Sequence, residues 1–170
     1  QDFFLSITAM KTLLTTFGLA ATAVAFSITG SQTPAEAQGS GPMMSTYSVT
    51  ITNLTQAQIF SPAVVTTHSR KTSLFQAGSA AGSSLQALAE DGDNSMVISD
   101  LALDPNVFDI APGMGMIMPG QSETIMISAD NKHSAISLAS MLVSTNDTFA
   151  GLDRLKLPQR YSSQLIHAYD

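Results

Sequence analysis

Few side chains in this 170-residue sequence are equipped for chemistry, and their spacing narrows the field. The three histidines, His68, His133 and His167, never fall at a spacing that places two of them on one metal. His68-Ser69 and His133-Ser134 each read as local hydrogen-bonding pairs beside strand ends. There is no cysteine, which removes disulfide scaffolds, thiolate zinc sites, iron–sulfur clusters and thiol nucleophiles together. No Gly-x-Ser-x-Gly elbow occurs. A hydrolase or metal-dependent centre would have to be assembled in space from Asp147, His133 and His68. The reading is therefore of a protein that is not an enzyme.

Other patterns carry weaker signals. Asp91-Gly92-Asp93-Asn94-Ser95 has acids at alternate positions, but an EF-hand loop needs glycine sixth and glutamate twelfth, and Ala102 occupies the twelfth place. It reads as a solvated helix end. Met114, Met116 and Met118 alternate, so a strand would put three soft thioethers on one face, a donor set for Cu(I); flexible filler is the commoner use. Asn53-Leu54-Thr55 and Asn146-Asp147-Thr148 fit the glycosylation tripeptide. Asp147 stands in a Ser-Thr-Asn-Asp turn after the most apolar segment, a place where carboxylates from several loops converge on a hard cation. The simpler role for such a residue is to stabilise its own turn.

Charge and hydropathy set the context. Lys and Arg number 7 against 13 Asp and Glu, a formal net charge of −6, which argues against nucleic acid and anionic membrane surfaces as partners. Charged residues make up only 12% of the chain, and its mean hydropathy is +0.18. Much of that hydropathy sits in Leu13 to Ile28, sixteen residues without a charge, preceded by Met10-Lys11 and followed by Ala35-Glu36-Ala37. A basic start, an apolar run too short to span a bilayer and a small-x-small exit are the parts of a secretory signal peptide. Residues 10–37 are read as that leader, cleaved near Ala37, and residues 1–9 as upstream sequence foreign to the protein. The mature chain then has six bases and eleven acids, net −5, and no membrane span. Export without cysteines suits a bacterial periplasm or cell surface, or secretion from a bacterium.

These groups must be positioned by short elements. Residues 38–45 read as a flexible linker, and the domain occupies 46–170. Tyr47, Val49 and Ile51 alternate with Ser and Thr, the pattern of a half-buried strand. Ala63–Thr67 is a second strand, with a short one expected at Met96–Ile98. Ser83–Glu90 is the one expected helix, with Ser83 and Gln86 as a capping box and Gly92 as its left-handed stop. Ser122–Ala129 and Ser134–Val143 are strands, the latter central, and Phe149–Leu152 resumes the sheet. Such a pattern gives an all-β fold, an antiparallel sandwich with one short helix in a connection.

Several stretches, in order, resemble the spondin domain, the N-terminal module of F-spondin and mindin, in its bacterial secreted branch. They are Tyr47–Thr55, Gln58–Pro62 with His68-Ser69, Leu88–Gly92, Pro119–Ser122, Ser140–Val143 and Thr145–Asp153, with Ala168-Tyr169-Asp170 like the start of a closing Tyr-Asp-Ala-Gly-Thr motif. The resemblance implies a C2-like sandwich holding calcium in loops at one end. It implies Asp147 and Asp170 as metal ligands, while the position of a third, a glutamate on the preceding strand, falls at Met126. A thioether suits a hard cation poorly. Glu123, three residues away, faces the other side of the strand about 10 Å distant. The site is expected either to be weakened or to be completed by water and backbone carbonyls. Ending inside the closing motif suggests a truncated reading frame.

The function expected is a secreted, non-catalytic domain for adhesion or extracellular recognition, with calcium as structural ion and an extracellular protein or glycan as partner. The alternatives are an envelope structural or assembly module without metal, and the hydrolase named above.

Overall fold

The computed structural model describes residues 5–12 and 44–170. Eight strands and two helices follow one another: β1 (Leu5–Thr12), β2 (Ser45–Asn53), β3 (Val64–His68), α1 (Ser83–Asp91), α2 (Ser95–Leu103), β4 (Val107–Pro112), β5 (Ser122–Ala129), β6 (Ala135–Met141), β7 (Phe149–Lys156) and β8 (Tyr161–Tyr169). Every strand pairing is antiparallel, in the order β4-β3-β6-β7-β8-β1-β2-β5. The ladder folds into two layers joined through β8. Residues 161–166 of that strand pair with β1, and 167–169 pair with β7. The all-β sandwich expected from sequence is the observed architecture. Among the described residues no helix is long and apolar enough to cross a membrane.

Binary pattern explains the layers. Tyr47, Val49 and Ile51 of β2 point inward with Ile125, Ile127 and Ala129 of β5, and all are buried. They meet Ile136 and Leu138 of β6 in the main core. β6 is buried along its whole length because α1 and α2 cover its other face. Leu85, Leu88 and Ala89 of α1 and Val97 and Leu101 of α2 pack there on Val64, Ala139 and Phe149. Each large aliphatic side chain so buried contributes about 1.5–3 kcal/mol. Side chains also stitch β3 and β4 to β5: Thr67 Oγ1 donates to Ser128 O at 2.6 Å, and Ser128 N donates to Asp109 Oδ2 at 2.8 Å.

Several local expectations are corrected. The segment expected to hold a strand at Met96–Ile98 is α2, whose buried Val97 and Leu101 lie four residues apart on one helical face. The capping box is not formed. Gly82 is the N-cap of α1, and Gln86 Nε2 donates to Glu90 Oε1 at 2.8 Å instead. Gly92 does stop that helix in the left-handed conformation, with φ 69°. The methionine segment is a loop, with only Ile117 bridging to Phe60, so Met114, Met116 and Met118 are exposed. β4 and β8 fall where sequence pattern predicted no strand. Leu5–Thr12, read above as upstream residues and the first part of a leader, stands between β2 and β8; the leader beyond Thr12 lies outside the described residues.

Asn53 fastens the end of β2. Its Nδ2 donates to Gln58 O at 2.7 Å and Ile117 O at 2.8 Å, while its Oδ1 accepts from Thr55 N and Thr55 Oγ1. The residue is fully buried, so these partners have no water to replace it. Asn53→Ala is expected to destabilise the protein by about 3 kcal/mol, because buried carbonyls lose their donors. Urea unfolding should show it as a lower midpoint. Thr50→Ala, which breaks only an exposed hydroxyl pair with Thr124, should cost about 0.5 kcal/mol.

Candidate carboxylate and aromatic site

Three elements and one loop meet at one end of the sandwich around a cavity of about 300 Å³. Asp147 comes from the turn between β6 and β7, Tyr169 and Asp170 from the end of β8, and Glu90 from the last turn of α1. Phe149 and Tyr169 are cross-strand partners, and their rings stack with centroids 5.6 Å apart. Phe75 closes the cluster, edge-on to Phe149 at 5.1 Å and 4.8 Å from Tyr169. Gly151 is what allows this approach. A Cβ there would lie 2.7 Å from Phe75 Cε1 and 2.9 Å from Phe149 Cε2.

The loop carrying Phe75 is held from below by Asp153. Leu74 N donates to Asp153 Oδ1 at 2.7 Å, and Ser73 Oγ donates to Oδ2 at 2.8 Å. Asp153 in turn belongs to a polar triangle centred on buried Ser137. Ser137 Oγ donates to Asp153 Oδ1 at 3.0 Å, accepts from Arg154 N at 2.8 Å and lies 2.7 Å from His68 Nε2. His68 Nδ1 faces the Ser69 carbonyl at 2.8 Å, an acceptor, so that nitrogen carries a proton.

The expected metal residues are brought together. Asp147 and Asp170 share a side-chain hydrogen bond, and this bond, the negative charge of Asp170, slight desolvation and the charge of Glu90 raise the Asp147 carboxyl above its ordinary range. Asp147 does not simply brace its own turn. Thr145 does so, donating its hydroxyl to Leu142 O at 2.7 Å and accepting from Thr148 N at 3.3 Å. Met126 is elsewhere, exposed on β5 opposite Ser48, and the third acidic neighbour is Glu90. Among the described residues no group of three or more His, Asp or Glu is close enough to enclose a metal by itself.

The groups from which a hydrolase would have been built fall into separate networks. His68 belongs to the Ser137 triangle. His133 Nδ1 meets Asp130 Oδ1 at 2.7 Å, with its ring 5.3 Å from that of Phe108. Asp147 is paired with Asp170. Ser137 and His68 do touch, but both are fully buried, and the carboxylate contacts the serine rather than the far ring nitrogen. That is the wrong order for a relay that activates a nucleophile. Of the two Asn-x-Thr tripeptides, Asn53 is buried and bonded, whereas Asn146 is exposed.

Glu90, Phe75, Phe149 and Tyr169 escaped recognition as site residues. Glu90, Phe149 and Tyr169 lie inside stretches that carried the family resemblance, so a signal existed for them. Phe75 had none, because a lone aromatic in a Ser- and Gly-rich loop has no periodicity to reveal its partner.

The crowded carboxylates give a pH signature. A raised folded value means that the folded protein holds the Asp147 proton more tightly than the unfolded chain. The stability so gained is complete below the ordinary carboxylate range, about pH 4, and is lost as pH rises through the raised value. Asp93 and Asp104, lowered chiefly by the Ser95 backbone N–H and the Thr72 hydroxyl respectively, act oppositely and at lower pH: their contribution is lost as pH falls. Urea midpoints of the metal-free protein followed upward from pH 4 should therefore contain a declining component that Asp147→Asn removes.

The family model Spondin_N matches residues 46–166, well over half of the chain. The matched span contains Phe75, Glu90, Asp147 and Phe149 and stops short of Tyr169 and Asp170. A search of curated proteins finds no match. With the antiparallel sandwich already in view, the match settles the kinship: the chain belongs to the family of spondin N-terminal domains.

Proposed function

We propose that this protein is a secreted bacterial recognition module of the adhesion type, in which Asp147 and Asp170 hold a structural calcium ion. Spondin N-terminal domains form a non-enzymatic family of extracellular recognition type, which supports the broader part of the reading. The observation that carries the calcium part is the pair of carboxylates held in contact at the loop end of the sandwich. A cation relieves two such charges, and the donor set is all hard oxygen, as calcium requires. Glu90 lies close enough to add its field. Met126 contributes nothing there, so water and backbone carbonyls complete the coordination. When bound, the ion supplies charge neutralisation and ties the β6–β7 turn to the end of β8; Asp147 and Asp170 orient toward it. The leader read at residues 10–37, whose first residues Met10–Thr12 belong to β1 in the structure, supports export to the periplasm or cell surface or out of the cell, and the partner in this reading is an extracellular protein or glycan.

Calcium titration followed by thermal or urea unfolding tests this reading. At about 100 times its dissociation constant, an ion that binds only the native state adds about 2.7 kcal/mol. Asp147→Asn should abolish that gain and, by relieving repulsion, raise the neutral-pH stability of the metal-free protein. Absence of any shift in millimolar calcium would sink the calcium assignment and leave a metal-free envelope module as the better reading.

A further inference from the structure

We propose that the cavity between Phe75, Phe149 and Tyr169 binds a primary ammonium group carried on an apolar chain, the chemistry of a lysine side chain or an alkylamine. Its walls and its rim differ in kind. One wall is three aromatic rings in mutual contact, with centroids 4.8–5.6 Å apart, and the rest is the loop 74–82 with the near face of α1. The rim carries Glu90, Asp147 and Asp170, and no Lys or Arg lines the cavity. An apolar chain fits against the rings, whose faces also attract a cation at their edge. A primary ammonium offers three N–H donors to the three carboxylates, whereas a quaternary ammonium offers none. The cavity volume of about 300 Å³ lies at the small end for ligand sites, consistent with a short chain rather than a large ring system.

Glu90, Asp147 and Asp170 reach the same cavity from three separate parts of the chain, so one cation there meets carboxylates from a helix end, a turn and a strand end. The inference uses the carboxylates of the calcium reading but does not rest on it. Glu90 and Phe75 belong to the cavity and are not among the residues assigned to calcium.

Isothermal titration of the protein with n-butylammonium, the side chain of lysine in isolation, tests the proposal. We expect saturable binding, at least tenfold weaker for tetramethylammonium and for neutral n-butanol. Phe75→Ala should weaken butylammonium binding about tenfold with the calcium-induced shift in unfolding retained, and Glu90→Gln should weaken that binding by about as much. Nα-acetyl-lysine N-methylamide distinguishes the source: if it binds, a protein partner can supply the group, and if only the free amine binds, the ligand is a small molecule. Either result upholds the chemistry. No binding of either amine, equal binding of butanol, or undiminished binding in both variants overturns it. A calcium shift without amine binding defeats this inference alone; amine binding without a calcium shift defeats only the calcium reading. Gly151→Ala adds a control from outside the rim: its methyl pushes on Phe75, so affinity should fall although no charge has changed.

Discussion

The hydroxyl of Ser137 is the point on which the architecture of the site turns. Along the β6–β7 ladder, Ile136 pairs with Leu155 and Leu138 with Leu152, so Asp153 and Arg154 together oppose the single residue Ser137. Such a bulge leaves backbone groups unpaired, and here the Ser137 side chain takes the Arg154 N–H in place of a ladder carbonyl. Arg154 adopts a left-handed φ of 52°, an uncommon conformation for a residue with a Cβ. The bulge turns Asp153 toward the loop below, where both its oxygens accept hydrogen bonds and fix Phe75. A buried polar triangle thus positions an aromatic ring that its own atoms do not touch. Buried networks of this kind are worth keeping only when every member is satisfied, and both ring nitrogens of His68 have a partner here, the Ser69 carbonyl and the Ser137 hydroxyl.

The acidic end of the sandwich shows the opposite economy. Carboxylates brought together cost stability, while nearby apolar packing holds them there regardless. Leu85 and Ala89 anchor α1 against β6 and so present Glu90; the Phe149–Tyr169 pair holds the strand ends that present Asp147 and Asp170. Apolar packing around this end, rather than any attraction between the carboxylates, sets where the three acids sit.

Much of this was legible in the sequence, and the remainder was hidden for identifiable reasons. Alternation of Tyr47, Val49 and Ile51 revealed β2 because one face of that strand meets solvent. β6 was recognisable as central from its unbroken apolar run. α2 was misread because Met96-Val97-Ile98 has high β propensity, and only its packing against α1, β4 and β3 makes it helical. β8 was opaque: its alternation is muted, and it changes partners midway. For the site, Asp147 stood out by its turn after an apolar strand, but Asp170 and the pairing of the two emerged only through family resemblance, since residues 23 apart on separate parts of the fold share no local pattern. Glu90 and Phe75 needed the tertiary fold, one arriving from a helix and the other from a loop governed by Asp153.

β8 has a consequence in time. All other strands precede it, and the cavity lacks one aromatic wall and one carboxylate until Tyr169 and Asp170 are in place. As the polypeptide emerges during synthesis or passes across a membrane, the earlier strands can form their local pairings while the pocket is still open on one side. The cavity is therefore completed only when the two layers are joined, so it is among the last features of the fold to be assembled.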